Sequence, residues 1–363
     1  MAEYRSSGKE LRKSPRGVIA GVLALILAAG VGYSGFLVYH NMVSLRPDPA
    51  LQEESDVIIP ATETTAAPNQ QDFIMQEFPV SAVKSGALIL VNDLYSTEDN
   101  DENLAVAADS RNDYFSVRDR NILLRTDAME ALNQLAAGFY KATEHTDLMI
   151  LNAYRTKTEQ KKLYENGLKK AGSDAPSAYS LPGCSDYQTG YTLDFCINKR
   201  GKYSDFTGED DYAWIPEHCA EYGFVRRYPP EKAAVVAPID KGEWAFRYVG
   251  LPHSMFMTQN TLCLEEYLDL LEGYPYDGTH LFEKDALGRE YEVYYVNVDP
   301  NGEAETVELP VPRTLRYTVS GNNRHGFIVT VELPHRETSW DTTVIPESSA
   351  ETTEPEDTET AQP

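Results

Sequence analysis

The sequence is poor in positive charge and in cysteine. It has 32 lysine and arginine residues against 57 acidic residues, which gives a formal net charge of −25. Such an acidic chain lacks the basic surface that nucleic-acid binding requires, so nucleic acid is excluded as a partner. The cysteine spacing matches no zinc-finger pattern, and no repeat of a solenoid period is present.

The chain contains only four cysteines, Cys184, Cys196, Cys219 and Cys263. An even number of cysteines outside the cell permits two disulfides in three possible pairings. Buried free thiols are equally compatible with the sequence if the organism lives without oxygen. The state of the cysteines is therefore left open by the sequence.

One long run contains no charge at all. Residues 17–39, GVIAGVLALILAAGVGYSGFLVY, are long enough to cross a bilayer as a helix. Five basic residues precede this run, so the positive-inside bias places residues 1–16 in the cytoplasm and the main domain outside. The run exceeds the apolar region of a normal signal peptide, which favours an uncleaved signal anchor over a cleaved signal peptide. The sequence thus predicts a single-pass protein of the cell membrane.

Composition divides the rest of the chain. Residues 40–75 are rich in Pro, Thr, Ala and Glu and are interpreted as a linker. Residues 337–363 are acidic, Thr-rich and without large apolar side chains apart from their start, which predicts a disordered tail. Between them we expect a folded domain at 76–280 and a β-rich extension at 281–336, where three strand patterns follow one another.

Local patterns locate several elements of the folded part. TDAMEALNQLAAGFYKAT predicts an amphipathic helix over 126–143 with Tyr140 on its apolar stripe, and DLMILNAY predicts a buried strand at 147–154. Thr156 and Glu159 have the spacing of a capping box, so a helix begins there and Arg155 lies at a strand-to-helix junction. In SDYQTGYTLDF, alternation places Asp194 on the opposite face of a strand from its apolar neighbours.

Four stretches in this order resemble the VanY-type D-alanyl-D-alanine carboxypeptidases, which are zinc enzymes that trim peptidoglycan stem peptides. They are LNAYRTKTEQKKLY, PGCSDYQTGYTLDF, WIPEHCAEYGFVRRYPPEK and EWAFRYVGLPHSMFM. The resemblance covers about residues 80–275. It implies an α+β fold of the DD-carboxypeptidase/hedgehog-like type, with a small antiparallel sheet forming a cleft and helices packed on its other side.

The family pattern also implies a substrate-binding set. Arg155 matches the arginine that holds the C-terminal carboxylate of the substrate, and a guanidinium fork suits that geometry. The other expected binding residues are Gln160, Ser185, Gln188 and Tyr248.

The positions that carry the family's zinc chemistry differ. The resemblance assigns the metal ligands to positions 187, 194 and 245 and the catalytic base to position 242. These positions hold Tyr187, Asp194, Ala245 and Gly242, so only Asp194 is retained, and Glu243 is one residue away from the base position. We therefore expect no catalytic residue, no metal ligand set and no cofactor here, and zinc only if other residues have rebuilt the site. Tyr187 is expected to donate a hydrogen bond to Asp194.

Two histidines and the cysteines are candidate replacement ligands, and Cys184 and Cys196, which flank the site motif, are assigned a disulfide or packing role. His253 is interpreted as a structural residue or as one that supports a ligand from behind, and His218 as a capping or surface residue. The leading functional hypothesis is a catalytically dead member of the family that binds peptidoglycan stem peptide or an envelope protein. The alternatives are an active D,D-carboxypeptidase with relocated zinc ligands and a structural protein of the cell envelope.

Overall fold

The computed structural model describes residues 73–171, 179–236, 242 and 244–334. The predicted signal anchor at 17–39, almost all of the predicted linker and the predicted tail at 337–363 lie outside these residues. Within the described ranges, no helix combines the length and apolar character needed to cross a membrane.

The described part of the chain contains both helices and strands. The strands are, in chain order, β1 Phe73–Pro79, β2 Leu104–Val106, β3 Ser116–Val117, β4 Leu123–Arg125, β5 Leu148–Asn152, β6 Thr192–Lys199, β7 Lys202–Asp205, β8 Phe224–Arg226, β9 Phe246–Tyr248, β10 Leu281–Lys284, β11 Glu290–Asn297, β12 Thr306–Pro312, β13 Tyr317–Gly321 and β14 Gly326–Glu332. The α-helices are α1 Ala107–Ser110, α2 Thr126–Thr143, α3 Lys157–Ala171, α4 Trp214–His218, α5 His253–Gln259 and α6 Leu264–Leu271.

The central sheet has the strand order β3-β5-β6-β9-β8, with β7 added to β6. Its pairs are antiparallel except for the two-residue pair of β3 with β5, which is parallel. The predicted α+β fold with a small sheet is therefore confirmed. The prediction that the sheet is antiparallel throughout is wrong at the β3 edge, where the pair is parallel.

Helix α2 covers one face of the central sheet. Its residues Leu132 and Phe139 belong to the same buried cluster as Leu193 and Phe195 of β6. Because side chains alternate along a strand, Asp194 lies on the face away from this core. The predicted stripe of α2 is buried except for Tyr140, which is 37% exposed and stacks on Tyr114 with ring centroids 4.6 Å apart.

The extension contains the three predicted strands, β11, β13 and β14, in a sheet of order β10-β11-β14-β13. Strand β12 instead pairs with β1 in a separate two-stranded ribbon. Helices α5 and α6 pack between the extension and the central domain, since their residues share a buried cluster with Val225, Val293 and Ile328. The extension is therefore packed onto the domain by apolar contacts.

The predicted helix at 214–224 is shorter than expected. Helix α4 ends at His218 and continues as a 3₁₀ turn over Cys219–Tyr222, which Gly223 ends with a φ of 87°. His218 stacks on Trp214 and bonds Glu221 at the surface, which agrees with the surface role predicted for it.

His253 connects the domain to the extension. Its Nδ1 lies 2.7 Å from the Tyr267 hydroxyl and its Nε2 lies 2.9 Å from the Thr330 hydroxyl, and the side chain is buried. The structural role predicted for His253 is confirmed.

This histidine makes the fold sensitive to acid. Burial lowers the pKa of His253 to about 3, whereas the unfolded chain protonates histidine at a pH of about 6.5. Stabilisation by the neutral ring is therefore complete above that pH and is lost as the pH falls toward the folded pKa. We expect the free energy of unfolding to drop by about 2 kcal/mol between pH 7.5 and pH 5 from this group alone.

Urea unfolding at the two pH values measures this effect. His253→Gln should reduce the difference in unfolding free energy between pH 7.5 and pH 5. His218→Gln, which changes a surface histidine, should leave that difference intact. An equal acid loss in His253→Gln and the unmodified chain would contradict the assignment.

Candidate functional site

The Arg155 guanidinium is fixed in place by the strand-to-helix junction that the sequence predicted. The capping box is formed, since the Thr156 N–H donates to Glu159 over 2.8 Å and the Glu159 N–H donates to the Thr156 hydroxyl over 3.2 Å. Arg155 donates to the Gln160 side-chain oxygen over 2.8 Å, and its guanidinium lies 4.0 Å from the centre of the Tyr187 ring. Gln160 is itself anchored by a 2.9 Å bond to the Ser180 carbonyl.

Asp194 lies in a row of residues across the sheet. The register pairs it with Asn152 of β5, whose amide donates to Asp194 Oδ2 over 3.0 Å. In β9, Arg247 pairs with Thr192 and Phe246 with Leu193. Continued by one residue, this antiparallel register places Ala245 opposite Asp194 on the same face.

The environment of Asp194 is only partly polar. Within the described residues its Oδ1 is buried without a hydrogen-bond partner. Burial raises the pKa of this carboxyl group, and the Asn152 hydrogen bond and the Arg155 charge offset part of the increase. The donor to Asp194 is the Asn152 amide, which corrects the expectation that the Tyr187 phenol would fill this role.

Tyr187 and Ala245 belong to one small apolar cluster. Its other members are Tyr228, Val236 and Cys263, and Ala245 is fully buried. Tyr187 lies in the 3₁₀ turn Asp186–Thr189, which ends at Gly190 with a φ of 76°, a conformation that glycine adopts without steric cost. Packed side chains therefore surround the two positions that the resemblance assigns to imidazole ligands.

The other predicted binding residues make contacts of their own. Ser185 and Gln188 are buried in the turn, where the Gln188 side-chain oxygen accepts the Gly183 N–H over 2.7 Å. Tyr248 stacks on Tyr191 with ring centroids 6.1 Å apart, and it packs against the core on the α2 side of the sheet. Their roles in binding remain predictions.

A cleft of about 380 Å³ opens beside Arg155 and Asn152. Its lining comprises Arg118, Asp119, Asn121, Ile122, Leu151, Asn152, Ala153, Tyr154, Arg155 and Glu159. Sequence analysis missed Asn152 and Arg118. Asn152 could have been found from its position at the end of a buried strand, three residues before Arg155.

A buried charge network behind the site was also missed. Asp186 Oδ1 lies 2.8 Å from Arg247 and 3.2 Å from Arg227, and its Oδ2 accepts a short hydrogen bond from Thr192. Arg227 also forms two hydrogen bonds with Glu265, at 2.7 and 3.0 Å. The network ties the Tyr187 turn to β6, β9 and α6, so it fixes the elements that carry the candidate site.

All four cysteines are free thiols. Burial raises the pKa of each of them, and it raises those of Cys219 and Cys263 to about 12. They are therefore neutral thiols near neutral pH, which makes them poor nucleophiles.

The family ligand positions do not fit a catalytic zinc ion with the residues present. Such an ion takes three protein ligands and a water molecule, whereas Tyr187, Asp194 and Ala245 offer a phenol, a carboxylate and a methyl group. Gly242 is buried and has no side chain, and Glu243 lies outside the described residues. In the described ranges, no three His, Cys, Asp or Glu side chains are grouped so that they could hold a metal ion.

Comparison with known proteins identifies the family. The model of the family VanY, D-alanyl-D-alanine carboxypeptidase, matches residues 121–251. A D-alanyl-D-alanine carboxypeptidase of Enterococcus faecium is 29% identical over 254 residues, which are 69% of this chain and 76% of that protein. The bifunctional D-Ala-D-Ala dipeptidase and carboxypeptidase VanXYC of Enterococcus gallinarum is 36% identical over 138 residues, which are 34% of this chain and 68% of that protein.

Solved structures agree in fold. The vancomycin resistance D,D-dipeptidase VanXYg, in complex with a D-Ala-D-Ala phosphinate analogue, matches with a TM-score of 0.62 and 29% identity, covering 72% of this chain and 99% of that one. A mutant of the D,D-pentapeptidase VanY from a VanB-type resistance cassette, in complex with Zn(II), is 23% identical with a TM-score of 0.39, over 50% of this chain and 98% of that one. This chain belongs to the VanY D-alanyl-D-alanine carboxypeptidase family.

Proposed function

We propose that this chain is a membrane-anchored, extracytoplasmic member of the family that binds the D-Ala-D-Ala end of peptidoglycan stem peptides without hydrolysing it. The ligand class is supported by the relatives, whose names specify D-Ala-D-Ala substrates. The membrane anchor rests on the uncharged residues 17–39 and the basic residues before them.

The observation that carries the binding proposal is the orientation of Arg155. Gln160 and the Tyr187 ring hold its guanidinium at the edge of the cleft. A preoriented guanidinium pairs well with a carboxylate because two of its N–H groups can donate to the two carboxylate oxygens in one plane. The free C-terminus of a peptide supplies such a carboxylate.

The absence of hydrolysis is proposed from the donor set. Hydrolysis in this family requires a metal-bound water and a base, and positions 187, 242 and 245 supply neither imidazole nor carboxylate. The Tyr187 ring and the Ala245 methyl group instead pack together with Tyr228 and Val236. A ligand-binding role needs only the Arg155 side of the site.

Calorimetry with synthetic stem pentapeptides tests the binding step. The peptide with a free terminal carboxylate should bind the outer domain more tightly than the same peptide with a terminal amide. Arg155→Ala should weaken binding of the free-acid peptide by about tenfold or more, since a hydrogen bond to a charged group contributes about 1.5–3 kcal/mol. The exposed Arg313 is a matched control, and Arg313→Ala should bind like the unmodified chain.

Equal binding of the acid and amide peptides would contradict the role of Arg155. Release of D-alanine with added zinc, abolished by a chelator, would contradict the noncatalytic part and favour an active D,D-carboxypeptidase with relocated ligands. If no stem peptide binds and Arg155→Ala preserves function in cells, the structural envelope role is favoured instead.

A further inference from the structure

Arg118 places a second guanidinium beside the same cleft. Strand β3 pairs in parallel with β5, and the Arg118 N–H extends this ladder by donating to the Ile150 carbonyl over 3.0 Å. The backbone of Arg118 is therefore fixed at the edge of the sheet, next to the end of the strand that carries Asn152.

The side chain of Arg118 points to the cleft face. Val117, its neighbour in the chain, packs against the core on the α2 side, so alternation directs Arg118 to the opposite face. Two further observations agree. Arg118 is part of the cleft lining, and its charge partly offsets the increase that burial causes in the pKa of Cys196, which shares this face with Asp194.

The guanidinium of Arg118 is available for a ligand. It is exposed, and within the described residues it forms no hydrogen bond or ion pair with another side chain. The two acids in the cleft lining are held by local bonds, since Asp119 accepts the Asn121 N–H over 2.9 Å and Glu159 accepts the Thr156 N–H and hydroxyl over 2.8 Å each. Asn152 contributes an amide to the same lining.

We infer that Arg118 is a specificity residue that selects peptides carrying a second carboxylate within two residues of the C-terminal carboxylate held by Arg155. This inference rests on the proposed function. Its physical basis is that one cleft of about 380 Å³ presents two guanidiniums, and each of them can donate to its own anionic group. A neutral D-Ala-D-Ala end engages Arg155 alone.

A position scan with N-acetylated peptides tests the inference. The reference peptide ends in D-Ala-D-Ala and has no other charge, and three further peptides carry one carboxylate side chain at the last, second-last or third-last residue. We expect at least one acidic peptide to bind about three- to tenfold more tightly than the reference. This range is modest because Arg118 is exposed and ion pairs in contact with solvent are weak. The gain should shrink in 0.5 M NaCl because salt screens exposed charges.

Variants separate this effect from general attraction. Arg118→Gln should abolish the gain while leaving binding of the reference peptide unchanged. Because Arg118 is exposed, the variant is expected to fold, and a melting curve checks this. Arg120→Gln removes the same charge from an exposed residue outside the cleft lining and should keep the gain.

The outcomes distinguish the two proposals. If the reference peptide fails to bind the unmodified chain, the proposed function fails. If the reference binds but no acidic peptide gains, or if the gain survives in Arg118→Gln, the inference about Arg118 fails and the proposed function stands.

Discussion

Replacing Asp186 with alanine is expected to lower the free energy of unfolding by about 3–5 kcal/mol, because removal of one partner leaves buried charge uncompensated. Asp186, Arg227 and Arg247 are each almost fully buried, and both arginines contact the same carboxylate oxygen. Arg227 would keep Glu265, but Arg247 would retain, among the described residues, only the backbone carbonyls of Ala87, Ile89 and Tyr248 as acceptors. One guanidinium would then have no counterion.

Thermal unfolding at pH 7 measures this loss, which corresponds to a decrease of about 6–20 °C in melting temperature for a domain of this size. The melting temperature of Asp186→Asn should fall between those of Asp186→Ala and the unmodified chain. An amide oxygen still accepts a hydrogen bond but carries no charge. Asp113→Ala changes an exposed acid and serves as the control. An Asp186→Ala melting temperature within 2 °C of the control would show that the network is not needed for stability.

The network also has its own pH signature. Burial would raise the pKa of Asp186, but Arg247 and Arg227 outweigh it and hold this pKa below its usual range. Because the folded pKa is depressed, the stabilisation is present above pH about 4 and is lost as the pH falls through the folded value. This window lies below the one expected from His253, so the two contributions are separable in one titration of stability against pH.

Local sequence patterns predicted those elements whose determining residues lie close together in the chain. The helix at 126–143 was predicted with its observed bounds because its apolar residues recur with helical period after Thr126, a residue type common at helix starts. The Thr156 and Glu159 capping box was predicted for the same reason, since both halves of the interaction lie within four residues.

Contacts between distant segments were not predictable in this way. Asp186 and Arg247 are 61 residues apart, and nothing in either local pattern indicates that they meet. The Asn152 contact with Asp194 depends on an irregularity in the β5–β6 register, between Ile150 and Asn152. Ser185 and Gln188 were predicted from the family motif, which does not show that the Gln188 side-chain oxygen accepts the Gly183 N–H.

Placing histidines at positions 187 and 245 is expected to have a large effect on zinc binding. The combined variant Tyr187→His and Ala245→His should retain one zinc ion per chain after dialysis, whereas the unmodified chain should not. The register places position 245 opposite Asp194, and Asp194 Oδ1 has no hydrogen-bond partner in the described residues. Two imidazoles and a carboxylate with one open position form a zinc site of the catalytic type.

Packing makes the two substitutions depend on each other. Ala245 is fully buried, so Ala245→His alone inserts a ring into filled space and is expected to cost about 1–3 kcal/mol. Tyr187→His removes part of a neighbouring ring in the same cluster and leaves room. The metal-free double variant should therefore be less destabilised than the sum of the single variants, as is common for residues in contact.

Melting curves with and without zinc measure both effects. Because the ion binds only the folded double variant, zinc at about a thousand times its dissociation constant should add about 4 kcal/mol of stability. Adding Asp194→Asn to the double variant is the control and should remove most of this increase. A double variant that folds but gains no stability and retains no zinc would show that positions 187, 194 and 245 do not converge. The proposed lack of hydrolysis would then have to be explained by the backbone geometry of the site and not by the residues at positions 187 and 245.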